Sequence, residues 1–173
     1  MAKHPARVFD KLQKVYTIKK YGPPVHHIGC DYTRVKKGSK VKWIMGSSTY
    51  IKECLSKVCA LLEVTYLRRE KLLCSPSDHP EKDESPLLGE TQHRLYQQLV
   101  GMAEWAVQIG RFDIRYALTS LNRFSAAPRT GHLKRLIKIF GYLQTVSADR
   151  KSIVVSAEDI GEIKGRGTSQ AIP

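Results

Sequence analysis

Between Gln92 and Gln144 the apolar residues recur three times over with the period of an α-helix, and this feature constrains the fold more than any other. In the first stretch, residues 92–109, Leu95, Leu99, Met102, Ala103 and Ala106 share one face. Gly110 interrupts it. A second helix runs from Asp113 to Ala127 and turns Ile114, Ala117, Leu118, Leu121 and Phe124 inward. Asp113 stands where a helix N-cap is wanted, and capping is preferred to an ion pair with Arg111. Pro128-Arg129-Thr130-Gly131 then separates a third helix, His132 to Gln144. Its apolar face is Leu133, Leu136, Ile137, Phe140 and Leu143, with Lys134, Arg135 and Lys138 on the other side.

Upstream the pattern changes. Residues 5–17 read as a short helix, with Pro5 suited to its first turn and Val8, Leu12 and Val15 on one stripe. Tyr21-Gly22-Pro23-Pro24 breaks the chain. Val25–Val35 and Val41–Met45 are strand-like runs, and Lys36-Lys37-Gly38-Ser39 between them makes a hairpin turn. Gly46-Ser47-Ser48 offers an N-cap for an amphipathic helix over 49–63, whose stripe is Ile51, Cys54, Leu55, Val58 and Leu62. Residues 73–91 are rich in proline and acids and form a loop or linker. Ser152–Ser156 is one more strand, and the Gly/Ser-rich tail from Gly161 has little to bury and is expected to be disordered. There is no internal repeat, and the order of elements predicts an α+β fold.

Composition narrows the function. At 173 residues and 42% hydrophobic, the chain makes one modest domain or two small subdomains. No apolar run reaches the roughly 18 residues of a membrane span, and Met1–Lys14 has no apolar core of a secretory signal. Cys30, Cys54, Cys59 and Cys74 form no C-x-x-C pair, which points to free thiols in a reducing compartment, cytoplasmic or nuclear. Residues 1–75 hold 16 Lys/Arg against 5 Asp/Glu, residues 76–105 hold 2 against 6, and residues 106–173 hold 11 against 5. Two basic blocks thus flank an acidic linker, a charge pattern that suits a polyanionic partner.

The basic residues concentrate in two places. Arg34, Lys36, Lys37, Lys40 and Lys42 cluster on the hairpin with Tyr32 and Trp43. Such a mixture suits a surface that tracks a nucleic-acid backbone, and equally an edge blunted by lysines against aggregation. Arg129, His132 and Arg135 lie at the start of the last helix, whose N-terminus could meet a phosphate. Lys134 and Lys138 fit better as the solvated side of that helix. His26, His27 and Cys30 do not make a metal site, because neighbours on a strand point to opposite faces. Cys54 and Cys59 fit as small buried hydrophobes rather than nucleophiles. No Ser/His/Asp or Cys/His constellation and no Gly-rich phosphate loop is present.

The order and spacing of several segments resemble copia-type retrotransposon reverse transcriptases. Leu95-Tyr-Gln-Gln-Leu-Val-Gly-Met-Ala-Glu-Trp-Ala-Val-Gln-Ile-Gly-Arg-Phe-Asp-Ile114 is similar to that family's Tyr-Gln-Ser-Leu-Ile-Gly opening followed by Gly-Arg-Phe-Asp-Ile. Asn122-Arg-Phe-Ser-Ala-Ala-Pro-Arg-Thr-Gly-His132 resembles its Ser-Arg-Phe-x-x-x-Pro-Arg-x-Gly-His, and the following helix ends alike in Gly-Tyr-Leu143. Upstream, His27-Ile-Gly-Cys-Asp31, Thr49-Tyr-Ile-Lys52 and Ser75-Pro76 with His79-Pro80-Glu81 are looser but collinear. The likeness covers about Pro5 to Ile153.

The resemblance implies a division of the chain. Residues 1–46 would be the end of the palm with its hairpin near the primer terminus, 47–145 a helical thumb-like subdomain with the acidic loop 73–91, and 146–173 a truncated start of the next domain. The implied partners are an RNA–DNA or DNA duplex held without sequence preference, and the palm and RNase H portions of the polyprotein, with no membrane. The family's polymerase site holds two Mg2+ ions on carboxylates that include a Tyr-x-Asp-Asp hairpin. This sequence contains no Asp-Asp pair, so the fragment is expected to need no cofactor and to be inactive alone as an RNA-directed DNA polymerase. The alternatives are a retroelement-derived protein–protein interaction module and a decayed open reading frame.

Overall fold

The computed structural model describes residues 5–17, 25–37, 40–74, 78–146 and 153–156. It is α+β, as the sequence predicts. A short helix α1 (Pro5–Gln13) precedes strands β1 (His26–His27), β2 (Cys30–Lys37) and β3 (Lys40–Gly46). Helices α2 (Ser48–Leu61), α3 (Glu90–Gln108), α4 (Arg115–Asn122) and α5 (Thr130–Thr145) follow, and β4 (Ile153–Ser156) returns to the sheet. The sheet is antiparallel with order β1-β2-β3-β4. The expected C-terminal tail lies outside the described residues.

The first strand-like run is not one strand. It folds back at Ile28-Gly29, where both residues have positive φ (50° and 80°), so His27 pairs with Cys30 and His26 with Asp31. Such a two-residue turn matches the twist of the strands it joins. A β-branched residue in its first position is costly, which is why no turn signal stands out there. Gly29 is also held by its surroundings, since a Cβ there would lie 3.2 Å from Trp105 Nε1 and 3.6 Å from the Tyr50 side chain.

The core sits in the helices. Ile51, Cys54 and Val58 of α2 pack with Tyr96, Leu99, Val100, Ala103, Ala106 and Val107 of α3. Ala117, Leu118 and Leu121 of α4, Leu133, Leu136, Ile139, Phe140 and Leu143 of α5, and Leu67 and Ile114 outside these helices complete it. These stripes repeat every three to four residues because each helix turns 3.6 residues per turn and buries one side. Two tyrosine hydroxyls, that of buried Tyr96 and that of half-buried Tyr50, tie the helices together. Tyr96 Oη donates to Leu121 O at 2.8 Å, tying α3 to α4, and Tyr50 Oη donates to Met102 O at 2.9 Å, tying α2 to α3. Burial pushes the Tyr96 phenol up to about 12 and raises that of Tyr50 as well. Cys54 is buried on the inward face of α2, where desolvation pushes its thiol up to about 11.

Asp113 does not cap α4. Arg111, at 0% exposure, donates from Nε to Asp113 Oδ1 at 3.0 Å and from Nη2 to Oδ2 at 2.9 Å. The position before α4 is Ile114, with no side-chain cap. The two-residue spacing brings the carboxylate face-on to the guanidinium, and a cation taken out of water needs that bidentate partner more than the helix end needs a cap.

Candidate nucleic-acid interface

The hairpin register decides which basic residues act together. Arg34 lies opposite Trp43, Lys36 opposite Val41 and Tyr32 opposite Met45, so these three pairs share one face of the sheet. Val35 lies opposite Lys42 on the other face. The basic cluster of the hairpin is therefore split, with Arg34 and Lys36 beside Trp43 and Tyr32, and Lys42 behind them. Lys37 and Lys40 are paired at the end of the register. Arg34, Lys36 and Lys42 are exposed, and none has an ion-pair partner among the described residues.

Asp31 fixes this sheet to the helices. Its Oδ2 accepts the Thr49 backbone N–H at 2.9 Å, at the start of α2, while Oδ1 faces His26 Nδ1 at 2.9 Å. Burial works against ionisation of this carboxyl, but the Thr49 amide and the His26 ring outweigh it and lower its pKa. The carboxylate thus takes the place of an N-cap, which Ser47 leaves vacant: Ser47 Oγ is buried and has no hydrogen-bond partner among the described residues. His27 faces away from this pair across its own strand. Among the described residues no three His, Cys, Asp or Glu side chains gather closely enough to hold a metal ion.

The second basic group is differently employed. His132 is 2% exposed, and its Nδ1 accepts the Arg129 backbone N–H at 3.1 Å, which leaves Nε2 to donate to Pro80 O at 2.9 Å. Its ring stacks on Phe124 at a centroid distance of 4.2 Å. Arg129 Nη1 donates to Ser85 O at 2.6 Å. Arg135 donates from Nε to Asp78 at 2.7 Å and from Nη1 to Asp83. At the start of α5, Gly131 N donates to Ser85 Oγ at 2.8 Å and Thr130 N to Pro86 O at 3.0 Å. The acidic loop, including its one turn of 3-10 helix at Pro80–Lys82, is thereby laced across the N-terminus of α5.

The N-terminus of α5, one place where a phosphate was expected, is thus occupied by the chain's own residues. Although burial opposes it, hydrogen bonds from Ser85 and Arg135 hold the Asp83 carboxyl down to about 2. Asp78 and Asp83 were legible in sequence as loop acids but not as partners of Arg135. The signal that could have found them is the pairing of an acid-rich loop with a basic helix start, each otherwise costly to leave alone.

No helix among the described residues is long and apolar enough to cross a membrane. No protein-family model and no solved structure matches the chain. The chain is 26% identical over 145 residues to a putative transposon Ty5-1 protein of Saccharomyces cerevisiae. That match takes in 80% of this chain and 42% of the yeast protein, so the chain spans less than half the length of that relative. The comparison therefore shows a distant similarity to a transposon protein.

Proposed function

We propose that this chain is the part of a copia-type retrotransposon reverse transcriptase that holds the template–primer duplex, gripping its phosphate backbone through the basic hairpin without reading sequence. One observation carries the reading: Arg34 and Lys36, exposed and unpaired among the described residues, stand on the same sheet face as Trp43. Cations spaced along a strand beside an aromatic can follow a sugar–phosphate backbone, and each neutralised phosphate releases counterions. The similarity to a transposon protein supports the same family, as do the motifs around Arg111 and Arg129. Arg129, His132 and Arg135, expected from the sequence at the same task, are left out of this grip because each already bonds the acidic loop. With no Asp-Asp pair in the sequence, the two-metal step of such an enzyme would be supplied by other carboxylates of the polyprotein.

The test is binding to a labelled RNA–DNA hybrid, titrated with salt, beside a variant with charge reversals at Arg34, Lys36, Lys37 and Lys40. Wild type is expected to lose affinity steeply with salt, and the variant's log–log slope to shrink by roughly one per lost phosphate contact. Equal, shallow slopes would reject the reading.

A second reading, a protein–protein module, is favoured by α1. Val8 and Leu12 of that helix, and Val15 and Tyr16 just after it, are each 40% exposed or more, an apolar stripe left uncovered among the described residues. Concentration-dependent self-association together with shallow salt dependence would favour it.

A further inference from the structure

Residues 63–71 join α2 to the acidic loop without regular structure. With Gln144, near the end of α5, part of this segment lines an open cleft of about 810 Å3. Buried Leu67 and a hydrogen bond from Glu70 N to Gly141 O at 3.4 Å pin the segment to the helices. Around that anchor the side chains turn outward. Tyr66 is 75% exposed, and the Arg68 side chain is 91% exposed with its nearest acid, Glu70, 3.6 Å away. Arg69 has no ion-pair partner among the described residues. Gln144 lines the cleft with its Oε1 turned out of solvent's reach. Glu63, the acid on the lining, sits at a φ of 53°, a left-handed backbone that a non-glycine residue adopts at a cost.

These features ask for one kind of ligand. An exposed aromatic ring takes a planar partner, and two guanidinium groups take anions. A simple anion would leave Tyr66 unused. We infer that the cleft binds one nucleotide of single-stranded nucleic acid, its base stacked on Tyr66 and its flanking phosphates on Arg68 and Arg69. The strand must be single, because a base inside a duplex cannot offer its face to a side chain. This rests on the reading that the chain works on nucleic acid, and adds a surface for the unpaired strand beside the hairpin's hold on the duplex.

The experiment uses the full chain with a single-stranded oligonucleotide carrying iodouracil, and in parallel the blunt RNA–DNA hybrid. Irradiation is expected to crosslink the strand to Tyr66, read by mass spectrometry. Tyr66→Ala is expected to weaken single-strand binding about tenfold, the scale of one lost base–aromatic stack, while Tyr66→Phe retains it. Arg68→Ala with Arg69→Ala should flatten the single-strand salt dependence and leave the hybrid's unchanged. Crosslinks elsewhere, with Tyr66→Ala binding the strand as wild type does, would overturn the inference. A hairpin charge-reversal variant that still binds the hybrid, with the Tyr66 crosslink intact, overturns the hairpin reading and leaves the cleft standing. A wild type that binds neither nucleic acid overturns both.

Discussion

Gly141 lies where α5 meets the backbone of the 63–71 segment, and replacing it with alanine separates two opposing effects. A Cβ at this position would stand 2.2 Å from Arg68 O and 3.4 Å from Arg68 C. Ordinary carbon–oxygen contacts lie near 3.3 Å, so the segment or the helix must give by about 1 Å. Arg68 O is backbone, and it cannot swing aside as a flexible side chain would. The movement breaks the Glu70 N–H bond to Gly141 O, worth about 1 kcal/mol. It also draws Leu67 out of the core, where full burial of a leucine is worth about 1.5–3 kcal/mol. Against these stands the higher helix propensity of alanine, about 1 kcal/mol in a helix interior.

The expected net effect of Gly141→Ala is a destabilisation of about 2 kcal/mol, read as a lower urea midpoint with an unchanged slope. Amide exchange should quicken at Glu70 before it quickens in α3. The variant changes the identity of no cleft side chain and moves the frame that carries Tyr66, Arg68 and Arg69, so single-strand affinity should fall with hybrid affinity unchanged. A variant as stable as wild type, or more stable, would refute this reasoning. It would mean that helix propensity governs the position and that α5 does not hold the segment.

Two further perturbations probe the anchors of the helical unit. Arg111→Met takes the counter-charge away from the Asp113 carboxylate, and should cost about 3–5 kcal/mol in thermal or urea unfolding, whereas adding Asp113→Leu should restore part of the loss. Asp83 has a carboxyl held down to about 2, below the value near 3.9 of an unfolded chain, so its stabilising contribution is present above that unfolded value and is lost as pH falls toward about 2. The urea midpoint of wild type should therefore drop more steeply between about pH 5 and pH 2 than that of Asp83→Asn, and parallel curves would show that the loop is not held through this carboxylate.

What could be read in the sequence was local. The stripes of α3 and α5 are periodic over many residues, so their inward residues, Leu99, Ala103 and Ala106, and Leu133, Leu136, Phe140 and Leu143, follow from spacing alone. Pattern weakens where one tertiary contact overrides it. Asp113 has the position of a cap and becomes the counter-ion of Arg111, because the need to neutralise a buried guanidinium is invisible in periodicity. Ile28-Gly29 turns without the polar residues that advertise a turn, and the confinement of Gly29 by Trp105 and Tyr50 comes from elements far along the chain. At the start of α5 the basic residues are legible but their employment is not, since Asp78 lies 57 residues before Arg135. On the hairpin, composition groups five cations, and the strand register divides them between faces.

The buried cluster of described residues draws on α2, α3, α4 and α5 with Leu67 and Ile114, and takes none of its members from the sheet. The sheet meets the helices at Asp31 on the start of α2 and at Gly29 against Trp105 and Tyr50. Arg34 and Lys36 therefore carry no part of the core's stability, and reversing their charge should leave the unfolding transition where it is. The cleft is built the other way, with Tyr66, Arg68 and Arg69 on either side of buried Leu67, so its binding geometry and the packing of α5 are coupled. A substitution that loosens the core should reach the single strand before it reaches the duplex.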